Sequence, residues 1–176
     1  MNQIIDIYTD GACSSTNNIG GWATLICGPV VNENSITDAP HYRSLTDNYT
    51  VWFGGEVDST NNRMELRAMI CALQYADKNP KFVFDIYADS AYVVNCFKEK
   101  WYERWESNGW RTSKKTPVEN RDLWEQLVAL YKKVQTRVII RHVKGHSNYL
   151  YNNVVDAYAV AARKQFSKLI EQENKK

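Results

Sequence analysis

A chain of 176 residues can bury the core of one domain, and its 44% apolar and 12% aromatic content marks a packed globule, not a disordered chain. The formal net charge is only +2, so a surface for an acidic polymer has to be a local patch. No apolar run approaches the roughly 18 residues of a membrane span. The opening MNQIIDIYTD lacks the basic head and apolar core of a signal peptide. Cys13, Cys27, Cys71 and Cys96 are scattered without a CxxC pair, which argues against zinc and for reduced thiols in a cytoplasmic protein.

In chain order, Ile4 to Cys13 (IIDIYTDGAC) reads as a strand that runs into Asp10 and stops at Gly11. A second strand covers Gly20 to Cys27, with the Ser/Asn-rich segment from Ser14 to Asn18 as a tight connection. Residues 30–48 are polar and irregular and are expected to form a surface loop or hairpin extension. Tyr49 to Val57 is a third strand, and three strands on short loops suggest an antiparallel meander.

The period then changes. Met64, Ala68, Cys71, Ala72 and Tyr75 form a helical stripe that starts at an N-cap near Thr60 and stops at Asn79-Pro80. Phe82 to Ala88 is an apolar run suited to a central strand covered on both faces, and a helix follows from Ser90. From Lys98 to Pro117, Trp101, Trp105 and Trp110 alternate with lysines and arginines. Pro117 to Val134 is expected to be helical, Arg137 to Lys144 a fifth strand, and a last helix starts near Asn152 with a charged, frayed tail from Glu171. The order implies one domain over residues 1–176: a mixed sheet flanked by helices, its later strands joined by right-handed crossovers.

Four carboxylates stand at the ends or starts of these elements. Asp10 ends the first strand, Glu65 lies early in the first helix, Asp89 follows the central strand and Asp156 lies early in the last helix. Each alone has a plain structural explanation: a turn residue, a solvated helix residue, an N-cap, a helix-dipole partner. Together they bring four acids towards one edge of one sheet, where they repel unless cations bind them. An all-oxygen set points to Mg²⁺ or Mn²⁺, not zinc.

The runs TDGAC (Thr9–Cys13), TNNRMEL (Thr60–Leu66), DSAYV (Asp89–Val93) and KGH (Lys144–His146), the last followed ten residues later by Asp156, occur in that order. From Ile4 to about Ala162 the chain closely resembles the type 1 ribonuclease H family in its bacterial form. The resemblance implies a ribonuclease H-like fold: a five-stranded mixed sheet, three antiparallel strands then two parallel, flanked by helices and carrying a basic protrusion. It further implies a monomeric endonuclease that cuts the RNA strand of RNA–DNA hybrids and leaves 5′-phosphate and 3′-hydroxyl ends. Asp10, Glu65, Asp89 and Asp156 would hold two Mg²⁺ roughly 4 Å apart, with Mn²⁺ a possible substitute. His146, on a Gly-containing loop, would handle a proton or assist product release. Asn61 and Asn62, with backbone near Gly11 and Cys13, would read the hybrid's minor groove, where the 2′-hydroxyl distinguishes RNA. Thr60 would help hold a DNA phosphate. The protrusion would grip the DNA strand through Trp105, Trp110, Lys114 and Lys115, while Trp101 and Trp124 belong to the core.

The sequence departs from the family pattern in three places. Ser15-Thr16-Asn17-Asn18 replaces a Gly-Asn-Pro turn, Ala91 stands where a Gln is common, and residues 30–48 exceed a typical hairpin. These bear on substrate affinity, not on the acids. The alternative is a hybrid-binding module of the same fold with weak catalysis.

Overall fold

Alternating strand patterns in the first third of the chain build one sheet around its first strand. The computed structural model describes residues 3–28, 42–144 and 150–175. Its strands are β1 (Ile4–Cys13), β2 (Gly20–Cys27), β3 (Tyr42–Leu45), β4 (Tyr49–Glu56), β5 (Val83–Ala88) and β6 (Val138–His142). The helices are α1 (Asn61–Lys78), α2 (Ala91–Lys98), α3 (Trp101–Asn108), α4 (Arg121–Val134) and α5 (Leu150–Asn174). The sheet order is β3-β4-β2-β1-β5-β6. Pairing is antiparallel from β3 through β1 and parallel from β1 to β6.

Among the described residues six strands form where five are expected. The addition, β3, lies in the segment read as irregular, because YRSL is too short and polar to show a period. It forms as an edge strand because Thr46 closes a hairpin onto β4: its N–H donates to the Tyr49 carbonyl (2.9 Å), and its Oγ1 accepts from the Tyr49 N–H (3.1 Å). The rest of the 30–48 insert, up to His41, lies outside the described residues.

The helix boundaries also shift. The helix expected from Ser90 is α2, and a further helix, α3, forms in the Trp/Lys/Arg segment that follows, set apart from α2 by Lys100 at a left-handed φ of 56°. The next helix starts at Arg121, not Pro117, because residues 111–118 fold back on themselves. There Arg111 bridges Pro117, and the Val118 N–H donates to the Trp110 carbonyl at 3.0 Å. Helix α5 carries the charged C-terminal stretch on to Asn174.

The sheet is covered on both faces. One face packs Trp22, Trp52 and Phe84 against α1 and α4, with Leu66, Met69 and Trp124 fully buried between them. The other packs Tyr8, Leu25 and Val51 under Val155 and Ala159 of α5. Close approach of α5 requires Gly21, where a Cβ would lie 2.3 Å from the Ala159 carbonyl oxygen and 2.4 Å from the Arg163 nitrogen. Arg137 closes the far end of α1, donating to the carbonyls of Ala76 (3.1 Å), Asn79 (3.3 Å) and Phe82 (3.1 Å). Among the described residues no helix is long and apolar enough to cross a membrane.

Candidate active site

Strand register decides where the first two acids lie. Thr9 pairs with Ala88 across the parallel β1–β5 ladder, so Asp10 and Asp89, the next residue of each strand, leave it side by side. Asp10 is still in the sheet, opposite Ala23 of β2, and is only 2% exposed. Asp89 is not the cap of the following helix. Ser90 takes that position, its Oγ accepting from the Val93 N–H at 3.2 Å, which leaves the Asp89 carboxylate to the site.

The third acid comes from α1. The Thr60 side chain caps this helix by accepting from the Arg63 N–H at 3.1 Å, and Glu65 turns towards the end of β1. The Gly11 N–H donates both to Asp10 Oδ1 (2.8 Å) and to Glu65 Oε1 (3.2 Å), fastening the two carboxylates to one amide. Carboxylate oxygens of Asp10, Glu65 and Asp89 all lie within 4.8 Å of one another. Asp156 is delivered by α5, beyond its first turn, where the helix dipole has little to offer a carboxylate. It acts on Asp10 directly, favouring that group's protonated form.

The electrostatics follow from burial and like charge. Burial, then Asp156 and Asp89, push the Asp10 carboxyl up to about 8, although neighbouring Glu65 and the Gly11 amide oppose the rise. Burial first, and then Asp10 and Asp89, hold Glu65 well above the usual carboxylate range. Asp10 Oδ2 and Glu65 Oε2 are buried and find no hydrogen-bond donor among the described residues. Two unsatisfied carboxylate oxygens in an all-oxygen cluster fit a hard divalent cation, which would relieve both the desolvation and the repulsion. The three acids could hold such an ion.

The other residues singled out by sequence divide into groups. Asn61 Oδ1 accepts from the Cys13 N–H at 2.7 Å, which joins the start of α1 to the end of β1, and Asn62 is exposed beside it. His146 lies outside the described residues. Trp105 and Trp110 sit on a ladder of rings that starts at fully buried Trp124. Ring centroids are 5.4 Å apart from Trp124 to Trp105 and 5.8 Å from Trp105 to Trp110, and Arg121 lies over Trp110. Both tryptophans are half-buried, so each offers solvent one part of its ring while the rest packs. Lys114 and Lys115 are exposed on the turn between Thr112 and Thr116, whose hydroxyls pair at 2.7 Å.

One residue inside the most specific motif had no role assigned from sequence. Arg63 makes two 3.0 Å bonds to the carboxylate of Asp122 and a 3.3 Å bond to Glu56, tying the first turn of α1 to α4 and to the end of β4. Arg67 adds a second bond to Glu56 at 3.0 Å. A cation near a helix N-terminus is unfavourable against the dipole, and that was the available signal that Arg63 has acidic partners elsewhere.

The model of the RNase H family matches residues 2–164. Over 167 residues the chain is 41% identical to a ribonuclease H of Caldanaerobacter subterraneus subsp. tengcongensis, covering 95% of both chains. It is 44% identical over 167 residues to a ribonuclease H of Chlorobium phaeovibrioides, covering 94% of this chain and 99% of that one. Among solved structures it resembles LC9-RNase H1, described as a type 1 RNase H with the type 2 active-site motif. That likeness has a TM-score of 0.71 and 26% identity over 94% of this chain and 74% of the other. LC11-RNase H1, solved in complex with an RNA/DNA hybrid, shares the fold at a TM-score of 0.61 and 16% identity, covering 92% of this chain and 97% of that one. A match this long, in chains of nearly the same length, means that the chain belongs to the ribonuclease H family of hydrolases.

Proposed function

We propose that this protein is an endonuclease that hydrolyses the RNA strand of RNA–DNA hybrids by a two-metal route, leaving 5′-phosphate and 3′-hydroxyl ends. The observation that carries the reading is the convergence of Asp10, Glu65 and Asp89, with buried oxygens that find no donor among the described residues. Asp10, Glu65, Asp89 and Asp156 would hold two Mg²⁺, with Mn²⁺ a possible substitute. Bound there, the ions would supply an activated water and stabilise the charge that develops on the phosphate and leaving oxygens. The protein's own part is positioning. The Gly11 amide holds Asp10 and Glu65 in one orientation, so the site needs little rearrangement to receive cations.

Substrate choice follows from neighbouring groups. With its Oδ1 engaged by Cys13, Asn61 has its Nδ2 left to donate towards a minor-groove acceptor or a 2′-hydroxyl. Asn62, Gly11 and Cys13 extend that surface, and Thr60 lies next to it at the cap of α1. Trp105, Trp110, Lys114 and Lys115 would meet the DNA strand, the rings by stacking and the lysines through phosphates. His146 is assigned a proton-handling or product-release role on the strength of the KGH motif. The hybrid found with LC11-RNase H1 is the ligand expected here too. The protein is proposed to act as a cytoplasmic monomer.

The test is a strand-labelled hybrid incubated with the protein in Mg²⁺, with and without EDTA. Cleavage confined to RNA, stopped by EDTA and by Asp10→Asn or Asp89→Asn with hybrid binding retained, is the expected result. Binding without cleavage in either Mg²⁺ or Mn²⁺ would leave only a hybrid-binding module.

A further inference from the structure

A second polar site lies away from the acids, between the turn joining β1 to β2 and the later half of α5. It is a groove of about 310 Å³. Arg163, Lys164 and Lys168 of the helix line it, and a single carboxylate, Glu171, offsets them. Among the described residues none of these three cations forms an ion pair. On the opposite wall stand Ser14 and Asn17.

Three features hold this groove in shape. Asn17 Nδ2 donates to Ser167 Oγ at 3.1 Å, bonding the turn directly to the helix. Gly21 lacks a Cβ where the Arg163 backbone passes, so the helix lies against β2 at this level. Asn17 Oδ1 also accepts from the Ile19 N–H (3.2 Å), which braces the turn from within. The Arg163 Nε is buried and meets no acceptor among the described residues. A guanidinium N–H kept out of water without an acceptor is costly, and an anion in the groove would remove that cost.

The position relative to the acids is set by the same elements. Ser14 follows Asp10 by four residues of extended chain, about 13 Å at strand rise. Arg163 follows Asp156 by seven helical residues, about 10 Å along α5. A nucleic acid strand advances about 3.4 Å per nucleotide along its axis. Depending on whether the path runs along the axis or along the backbone, the groove lies about two to four nucleotides from the acids. We propose that it holds a backbone phosphate of the bound duplex, separate from the phosphate being cleaved, with Arg163, Lys164 and Lys168 as its cationic lining. This rests on the reading of the protein as a hybrid nuclease.

The test uses the full chain carrying Asp10→Asn, so that binding can be measured without cleavage, and a labelled hybrid. Arg163→Gln/Lys164→Gln/Lys168→Gln in that background should weaken binding roughly tenfold near 0.1 M salt. It should also flatten the dependence of log K on log salt by about one unit. A hybrid with one neutral methylphosphonate about two to four nucleotides from the cleaved bond should bind the parent less well but bind the triple variant unchanged. Lys164→Gln/Lys168→Gln alters only exposed side chains, so folding is not at issue, and it should show a smaller loss of the same kind. Glu171→Gln should tighten binding. Equal affinity and slope in parent and triple variant, with RNA cleavage by the unmodified protein intact, would overturn the groove assignment alone. A protein that neither binds nor cleaves the hybrid would overturn both readings. Loss with free inorganic phosphate as competitor, but no methylphosphonate position effect, would assign the groove to free anions and count against a duplex phosphate.

Discussion

The Gly11 N–H donates to Glu65 Oε1 at 3.2 Å, while a Cβ on Gly11 would lie 2.5 Å from the Glu65 backbone nitrogen. The strand end and the start of α1 therefore touch through a glycine that both orients a carboxylate and leaves room for the helix carrying it. Gly11→Ala should push α1 away from β1, since the obstructing atoms are backbone and cannot rotate aside. A loss of about 2 kcal/mol in stability is expected from overpacking. Cleavage should fall at least tenfold, because Glu65 moves with its helix. Denaturant unfolding and steady-state cleavage of a hybrid would measure both.

The raised carboxyl of Asp10 makes metal-free stability depend on pH in a definite direction. Its value of about 8 in the folded protein lies far above the ordinary 3.8, so the folded state keeps a proton that the unfolded chain releases between those values. The stability from this group is complete below about pH 4 and is lost as pH rises through about 8. Glu65 has the same sign. In EDTA, Asp10→Asn should therefore raise Tm at pH 8.5 by on the order of 5 °C and have little effect at pH 4.5. Mg²⁺ should raise the Tm of the unaltered protein at pH 8.5 and much less that of Asp10→Asn. A thermal unfolding series with and without Mg²⁺ checks the sign.

Arg63 holds the first turn of α1 through Asp122 and Glu56, and its partner Asp122 is held below the ordinary carboxylate value by that bond. Arg63→Ala should cost about 1–2 kcal/mol, since the group is mostly covered while Asp122 is largely in solvent. The cleavage rate should fall more than hybrid affinity, because Glu65 lies two residues on. Arg63→Lys keeps the charge but not the planar fork, and should recover only part of the loss. Chemical unfolding and separate kcat and KM values distinguish these outcomes.

Arg137 satisfies three carbonyls at the end of α1 and the turn after it. Arg137→Leu should destabilise the protein by about 2–3 kcal/mol, since carbonyls it now bonds would lose their donor. Cleavage at low temperature should change little, because this end of α1 is remote from Glu65. Comparison of Tm with activity at 15 °C would show whether the two effects separate.

Periodicity and end signals in the sequence made most elements legible, because strands and helices repeat at 2 and 3.6 residues and the motifs lie at their ends. Asp10 and Glu65 lie on the strand and helix that their patterns predict, Asp89 follows directly on β5, and the family resemblance is carried by TDGAC, TNNRMEL, DSAYV and KGH in that order. Strand β3 was not legible, since four residues on an edge carry no period and depend on the Thr46 turn for their partner. The break at Lys100 and the delayed start of α4 at Arg121 were also hidden, because left-handed backbone at a lysine or asparagine is imposed by the surrounding fold. Only the tertiary structure joined Asp10 to Asp89 through the Thr9–Ala88 register, and only it put the Gly11 amide between Asp10 and Glu65. Those relationships span more than fifty residues of chain, so no local pattern could encode them. The residue types were written in the sequence, but their burial, and with it the raised carboxyl of Asp10 and the pairing of Arg63 with Asp122, came from packing.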